Sequence, residues 1–375
     1  MEALIHPNTI YVNSKSIETE LYNHITAAHP SAEIVLIKHN TESYNSMYGL
    51  SDHRPSEHFR EKKTKAALLH REAKWKPDPN GNSTDFLPGL MISQGCGFGC
   101  TYCYTERHFP NNFLKLYDDA FNVVEMIKQT INSEQAWREK MLAVAKKDFE
   151  KHRDNNHCNN ITFDLGCDSD CVLDNQLTSH AGYSGHIIDI MNQVSLIPGV
   201  KTSFATKSSQ FNRFLSDIKR PSHHRIRLSL MPEHHRKALE INTATITSRL
   251  AAVNDLVEKG FEVHINLSPI IVTSDFIDEY TDLLQLIDNS LSQRAKDQLA
   301  YEIIFLTHAT SQFECVSNYA PKAHKMMVEG PLPIVPKPNK PNVLSYSTKD
   351  KVHLKQTIKG LISNITPYGR IRYCY

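Results

Sequence analysis

The chain has 375 residues, 40% of them hydrophobic and 22% charged, with eight cysteines and a formal net charge of +1. That length allows one large domain, or a large one with a small companion. No apolar run approaches the roughly 18 residues of a membrane span, and the N-terminus "MEALIHPNTIYVNSKS" lacks a signal-peptide pattern; the chain reads as cytoplasmic, with cysteines as ligands or catalysts rather than disulfides.

Residues 1–85 read as a polar, irregular N-terminal extension with one short strand candidate, Ile34–Ile37. It ends in the loop "KPDPNGNSTDFLPG". A regular alternation then fills residues 86–307. Strand candidates stand at Leu90–Ser93, Ile161–Leu165, Lys201–Thr206, Arg225–Met231, Phe261–Leu267 and Tyr301–Leu306, with helical patterns between them. In "TATITSRLAAVNDLVEKG", Ile246, Leu250, Val253 and Val257 share one face and Gly260 closes the helix. In "SDFIDEYTDLLQLIDNSL", Ser274 is the expected N-cap. The segment "EKHRDNNHCNN" reads as a surface insertion. Strands alternating with helices imply a parallel sheet. Six units are too few for an eight-stranded barrel, so the expectation is an α/β fold, an open, partial (β/α)6 TIM-like barrel. Residues 308–375 read as a small C-terminal α+β region. It holds the proline-rich "GPLPIVPKPNKPNV", a short strand, one helix around Lys351–Ser363 and a terminal strand "RIRYCY".

The small net charge hides an uneven distribution. From Pro321 to the end, ten basic residues face only Glu329 and Asp350, a local balance of +8. A second basic stretch runs from Asp52 to Lys76. Such asymmetry points to a polyanionic partner, against the plainer reading of two solvated faces.

The densest chemistry lies in "SQGCGFGCTYCYTER", where Cys96, Cys100 and Cys103 have the spacing C-x3-C-x2-C. They follow the first barrel strand, and Gly95, Gly97 and Gly99 suit a tight loop. In barrels of this kind chemistry sits on loops at the C-terminal strand ends. Zinc takes four ligands, usually as two separated pairs. A fourth ligand from His108, Cys158 or Cys167 would stand at no customary spacing. Three thiolates suit a four-iron, four-sulfur cluster with one iron open to a small molecule. A dinucleotide-binding reading is weak, because G-C-G-F-G lacks the G-x-G-x-x-G spacing.

This loop resembles that of the radical S-adenosylmethionine superfamily, and Tyr102 before the last cysteine fits the same pattern. There, the open iron chelates S-adenosylmethionine, and reduction cleaves it to a 5′-deoxyadenosyl radical. A closer resemblance is to the spore photoproduct lyase family, on the strand end "ITFDLGCDSDC". That family carries Cys-x-Ser-Asp at this strand end and Cys-x-Tyr-Cys-Tyr in the cluster loop. The matching residues are Cys167, Ser169 and Asp170, and Tyr102, Cys103 and Tyr104. "SFATK" places Lys207, and "RLSL" places Ser229, at the family's polar positions near S-adenosylmethionine. Most of residues 85–375 is covered. Met231 departs from the family's asparagine, and "GPLPIVPKPNKPNVLSYS" replaces its basic, glycine-containing hairpin.

The resemblance implies a barrel of the radical S-adenosylmethionine type and a DNA-repair lyase. Such an enzyme breaks the methylene bridge between two thymines of a photolesion. Cys167 would donate a hydrogen atom, and Tyr102 and Tyr104 would return the electron and hydrogen. Ser169, Asp170, Lys207 and Ser229 would surround S-adenosylmethionine, Lys337 and Lys340 would hold DNA, and flavodoxin or ferredoxin would supply electrons. Cys171 reads as a packed thiol. The pairs His223–His224 and His234–His235 flank the fourth strand. Adjacent strand residues point to opposite faces, which favours polar surface or phosphate contact over metal ligation. Two further classes stay open: a radical enzyme that modifies a base in DNA, for instance viral DNA, and a non-catalytic nucleic-acid-binding protein with a degenerate cluster.

Overall fold

The computed structural model describes residues 5–40, 64–71, 86–87, 92–103, 113–133, 161–166 and 168–374. Short parallel strands with helices between them dominate, as the alternation requires. The central sheet has seven strands. They are β4 (Phe86–Leu87), β7 (Ile161–Asp164), β8 (Val200–Thr206), β9 (His224–Leu230), β10 (Glu262–Ile270), β11 (Ala300–Phe305) and β15 (Arg370–Cys374). They lie in that spatial order and every pairing is parallel. The sheet curls into a half-barrel, with the terminal strand β15 added beside β11.

Helices cover one face. After β7 come α3 (Cys171–Thr178) and α4 (His186–Val194); after β8 comes α5 (Asn212–Asp217). After β9 come α6 (Glu233–Leu239) and α7 (Ile246–Lys259), and after β10 α8 (Phe276–Ser290) and α9 (Gln293–Gln298). Helix α7 follows its sequence pattern closely. Thr245 accepts from the Ser248 N–H at its start, and Gly260 ends it at φ +102°, a left-handed conformation that costs glycine little. Ile246, Leu250, Val253 and Val257 are all buried, each side chain contributing up to roughly 1.5–3 kcal/mol. Helix α8 departs from expectation: its N-cap is Asp275, not Ser274, and no side chain caps it.

The N-terminal residues are more regular than their polarity implied. β1 (Thr9–Asn13), β2 (Glu33–Ile37), β3 (Lys65–Leu69), β6 (Leu114–Tyr117) and β5 (Ser93–Gln94) form a second sheet in the order β2-β1-β3-β6-β5. It is parallel except for β5, and carries α1 (Glu20–Ala28) and α2 (Asn122–Ser133). The expected strand Leu90–Ser93 is therefore redrawn: β4 edges the barrel and β5 belongs to the other sheet. Residues 90–91 and the insertion 150–160 lie outside the described residues. Beyond the barrel, α10 (Thr310–Tyr319) and α11 (Pro321–Val328) precede an antiparallel sheet in the order β12 (Thr307–Ala309), β14 (Lys340–Tyr346), β13 (Ile334–Lys337). Then α12 (Thr348–Ile365) packs on α8. Among the described residues no helix is long and apolar enough to cross a membrane.

Candidate active site

The cluster loop turns on glycines. Gly95 and Gly99 have φ of +80° and +70°. A Cβ on Gly95 would overlap the Phe113 carbonyl oxygen, so only glycine fits there. The loop is held from two sides at the C-terminal strand ends. Gly95 N–H donates to Asp168 O at 3.0 Å, in the segment leaving β7. Thr101 N–H donates to Leu239 O at 2.9 Å, Cys100 bridges Glu240, and Asn242 Nδ2 donates to Gly97 O at 3.3 Å. His308 Nε2 lies 3.3 Å from Thr101 O.

Cys100 is buried, and Cys96 and Cys103 are partly buried. Desolvation pushes the Cys96 thiol up, helped by Asp170 and Cys100. Desolvation likewise raises Cys100, with Lys207 opposing. A buried thiolate here calls for positive charge beside it, which iron supplies. Three thiols on one loop match the donor set expected of a cluster with one iron open. They also do not gather as a single-ion site would: among the described residues the one such group lies elsewhere. The zinc candidates His108, Cys158 and Cys167 fall outside the described residues, as does Tyr104.

Tyr102 donates its phenol hydrogen to Glu240. Glu240 is fully buried and also takes Arg249 Nη2 at 2.6 Å. Burial would raise its pKa, but Arg249 and then Lys207 outweigh it and hold the carboxylate below the usual range. Lys207 Nζ sits 5.7 Å above the Tyr102 ring. Burial alone would lower its pKa; Cys100 and Glu240 overcome this and raise it. Tyr102, Lys207 and the cysteines thus form one constellation. Sequence reasoning does not find Glu240, Arg249 and His308, since a lone polar side chain in a helical or strand pattern carries no signal.

Asp170 has its carboxylate occupied. Oδ1 accepts from the Val172 and Leu173 N–H groups and from Thr206 Oγ1 at 2.9 Å; Oδ2 accepts from Lys207 N–H at 3.1 Å. It caps α3 and ties it to the end of β8. Ser169 Oγ donates to Asp174 Oδ2 at 2.6 Å, and Ser93 Oγ reaches the same oxygen. Burial raises Asp174 to about 8. Ser169 therefore serves the junction of the β7 end with β5 in this structure. Cys171, fully buried, packs its sulfur on Gly166: a Cβ added there would stand 2.8 Å from Sγ.

Ser229 shares a sheet face with Asn266, its register partner on β10. That face is polar down its length. Arg227 pairs with Asp164 at 2.7 Å, Arg225 with Glu262 at 2.9 Å, and Arg372 with Glu302 at 2.8 Å. His264 lies between Glu262 and Glu302. Burial would raise the Glu302 pKa, but His264, Arg227 and Arg372 bring it well below the carboxylate range. The half-barrel interior is thus lined by fixed charges rather than hydrocarbon.

Lys337 and Lys340 face each other across the β13–β14 hairpin. They line a cleft of about 490 Å³ with Tyr346 and Lys351. Like charges directly opposite repel, and burial, then Lys337 and Lys355, lower the Lys351 pKa. An anion would relieve all of these. In the other basic stretch, residues 52–63 and 72–76 lie outside the described residues.

A family model described as spore photoproduct lyase matches residues 5–375. Spore photoproduct lyase of Bacillus subtilis (strain 168) is 21% identical over 299 residues, 80% of this chain and 78% of that one. Among solved structures, a cysteine-to-serine variant of spore photoproduct lyase has a TM-score of 0.78 at 16% identity, covering 99% of both chains. A double variant with bound AdoMet and dinucleoside spore photoproduct has a TM-score of 0.74 at 16% identity, also covering 99% of both.

Proposed function

Because the chain belongs to the spore photoproduct lyase family, we propose that it cleaves a thymine–thymine photolesion in DNA, with Cys167 as the hydrogen-atom donor. Family membership makes it a radical S-adenosylmethionine lyase whose cofactors are a [4Fe-4S] cluster and S-adenosylmethionine. The observation that carries the reading is the hydrogen bond from Gly95 N–H to Asp168 O. It ties the residue that follows Cys167 to the loop that bears Cys96, Cys100 and Cys103. Cys167 itself lies outside the described residues.

Cys96, Cys100 and Cys103 would hold the cluster, which supplies reductive cleavage of S-adenosylmethionine to a carbon-centred radical. The protein's own work follows from its side chains. The charged barrel face excludes hydrocarbon packing and leaves a polar wall for a nucleobase pair. A lesion must leave the duplex stack to enter, as bases do in enzymes that act on them. Lys337, Lys340 and Lys351 would hold phosphates while it does so. A thiol at Cys167 yields hydrogen readily to a thymine-centred radical. Tyr102 would return a hydrogen atom, electron and proton together, to the sulfur radical left on Cys167, while Glu240, which accepts the phenol hydrogen bond, holds the ring in place. Lys207 and Ser229 would border S-adenosylmethionine. In this reading Asp170 and Ser169 position the strand ends through the bonds described above.

The test is anaerobic turnover. Reduced, cluster-loaded protein with S-adenosylmethionine and an oligonucleotide carrying a defined spore-type thymine lesion should restore two thymines. Formation of 5′-deoxyadenosine with the lesion left intact would reject the substrate while keeping the radical chemistry.

A further inference from the structure

The histidine pair His234–His235 does not sit on a strand. It lies in the first turn of helix α6, where neighbouring side chains diverge by roughly a quarter-turn rather than pointing apart. Both imidazoles therefore reach one partner, Glu279 on α8. His234 Nε2 is 2.7 Å from Glu279 Oε1, and His235 Nε2 is 3.3 Å from Oε2. One ligand atom from each of the three residues can be chosen so that all lie within 4.8 Å of one another.

We propose that His234, His235 and Glu279 bind one divalent transition-metal ion of the zinc class. Two imidazole nitrogens and a carboxylate oxygen, with water at a fourth position, form an established zinc donor set. Imidazole disfavours calcium and magnesium, which prefer oxygen. His235 supplies the independent sign of a ligand. It is fully buried, yet its Nε2 misses hydrogen-bond geometry and its Nδ1 has no partner among the described residues. An imidazole nitrogen left without a hydrogen-bond partner in the interior has a lone pair to offer an ion. Thr273 Oγ1 donates to Glu279 Oε2 at 2.6 Å and fixes the carboxylate's orientation, as outer partners of metal ligands do. His234 is half exposed and opens the site to solvent.

The ion has a structural consequence. Helix α6 runs into Leu239 and Glu240, whose backbones hold the cluster loop at Thr101 and Cys100. A metal that clamps α6 to α8 stiffens the platform under that loop.

The experiment uses full-length protein whose loop cysteines are already occupied by the reconstituted cluster. Equilibrium dialysis against zinc, with iron and zinc counted together, should give about one zinc per chain beyond the cluster iron, as a single site with three protein ligands requires. His234→Ala and Glu279→Gln should each weaken zinc binding by at least about tenfold, the loss that removing even an outer partner causes. His234 is half exposed, so its variant is the one expected to fold. Cobalt in place of zinc should add visible bands in the difference spectrum against the cobalt-free, cluster-loaded wild type, and His234→Ala should lose them. Equal zinc content in wild type and His234→Ala, or none above background in either, overturns the proposal.

Discussion

Tyr102 on the cluster loop and Glu240 at the end of α6 share a hydrogen bond inside the protein, and Arg249 pairs with the same carboxylate. The three form a chain in which removal of each member leaves a different remainder. Tyr102→Phe keeps the Glu240–Arg249 pair and loses one bond to a charged group, about 1.5–3 kcal/mol. Glu240→Ala leaves Arg249 buried without its carboxylate, about 3–5 kcal/mol. Urea midpoints should therefore fall further for Glu240→Ala than for Tyr102→Phe. The reverse order would mean the buried pair is not what anchors this segment. Under the proposed mechanism, Tyr102→Phe should also consume more S-adenosylmethionine per lesion repaired, because the hydrogen-return step is impaired.

Cys96, Cys100 and Cys103 are expected to be equivalent in cluster assembly. Anaerobically reconstituted protein should hold about four iron and four sulfide per chain. Cys96→Ala, Cys100→Ala or Cys103→Ala should abolish both the cluster absorption and 5′-deoxyadenosine formation. Zinc without sulfide on these thiols, in protein purified without oxygen, would contradict the cluster.

Cys167 and Cys171 provide a matched pair. Cys171 sits against Gly166 in the core, so Cys171→Ala should lower stability modestly and leave product identity unchanged. Cys167→Ala should retain the cluster and still form 5′-deoxyadenosine, but divert the thymine radical into side products. Normal product at a normal rate from Cys167→Ala would remove the hydrogen-donor role.

The barrel strands were legible because five of them are short runs of strand-forming residues between helical patterns, found within a residue or so of expectation except at the longer β10. The N-terminal sheet was not. β1 and β3 are five-residue strands whose pairing joins Thr9 to Lys65, and nothing local records a partner so distant. The three cysteines on one glycine-rich loop after a strand could be read from the sequence; the groups that hold that loop could not. Glu240 and Asp174 are single acids in helical stretches, and only tertiary packing buries them. The histidine pair was misplaced for a reason that could be seen. Pro232 stands directly before α6, and a proline there marks a helix start rather than a continued strand.

The hairpin lysines test the proposed DNA contact. Lys337→Glu with Lys340→Glu should weaken binding to DNA of any sequence and flatten its salt dependence by roughly 0.7–0.9 for every phosphate no longer neutralised. S-adenosylmethionine cleavage without DNA should survive. Unchanged affinity and slope would make this hairpin a solvated surface.

Asp174 predicts a pH dependence of stability with a definite sign. Its carboxyl is raised from an ordinary 3.8 to about 8 by burial, which the Ser169 and Ser93 hydroxyls only partly offset. Between these values the folded chain holds a proton that the unfolded chain has released. Unfolding then releases a proton, and stability from this group falls as pH rises from about 4 to about 8, levelling beyond. A tenfold change in proton affinity corresponds to about 1.4 kcal/mol, so the whole window spans up to several kcal/mol. Asp174→Asn keeps a carbonyl oxygen for Ser93 and Ser169 and removes the titration. Relative to the wild type it should gain stability steadily from about pH 5 to about pH 8 in chemical denaturation. Parallel pH profiles for the two proteins would place the Asp174 carboxylate, charged, in the folded state at neutral pH and reverse the assignment.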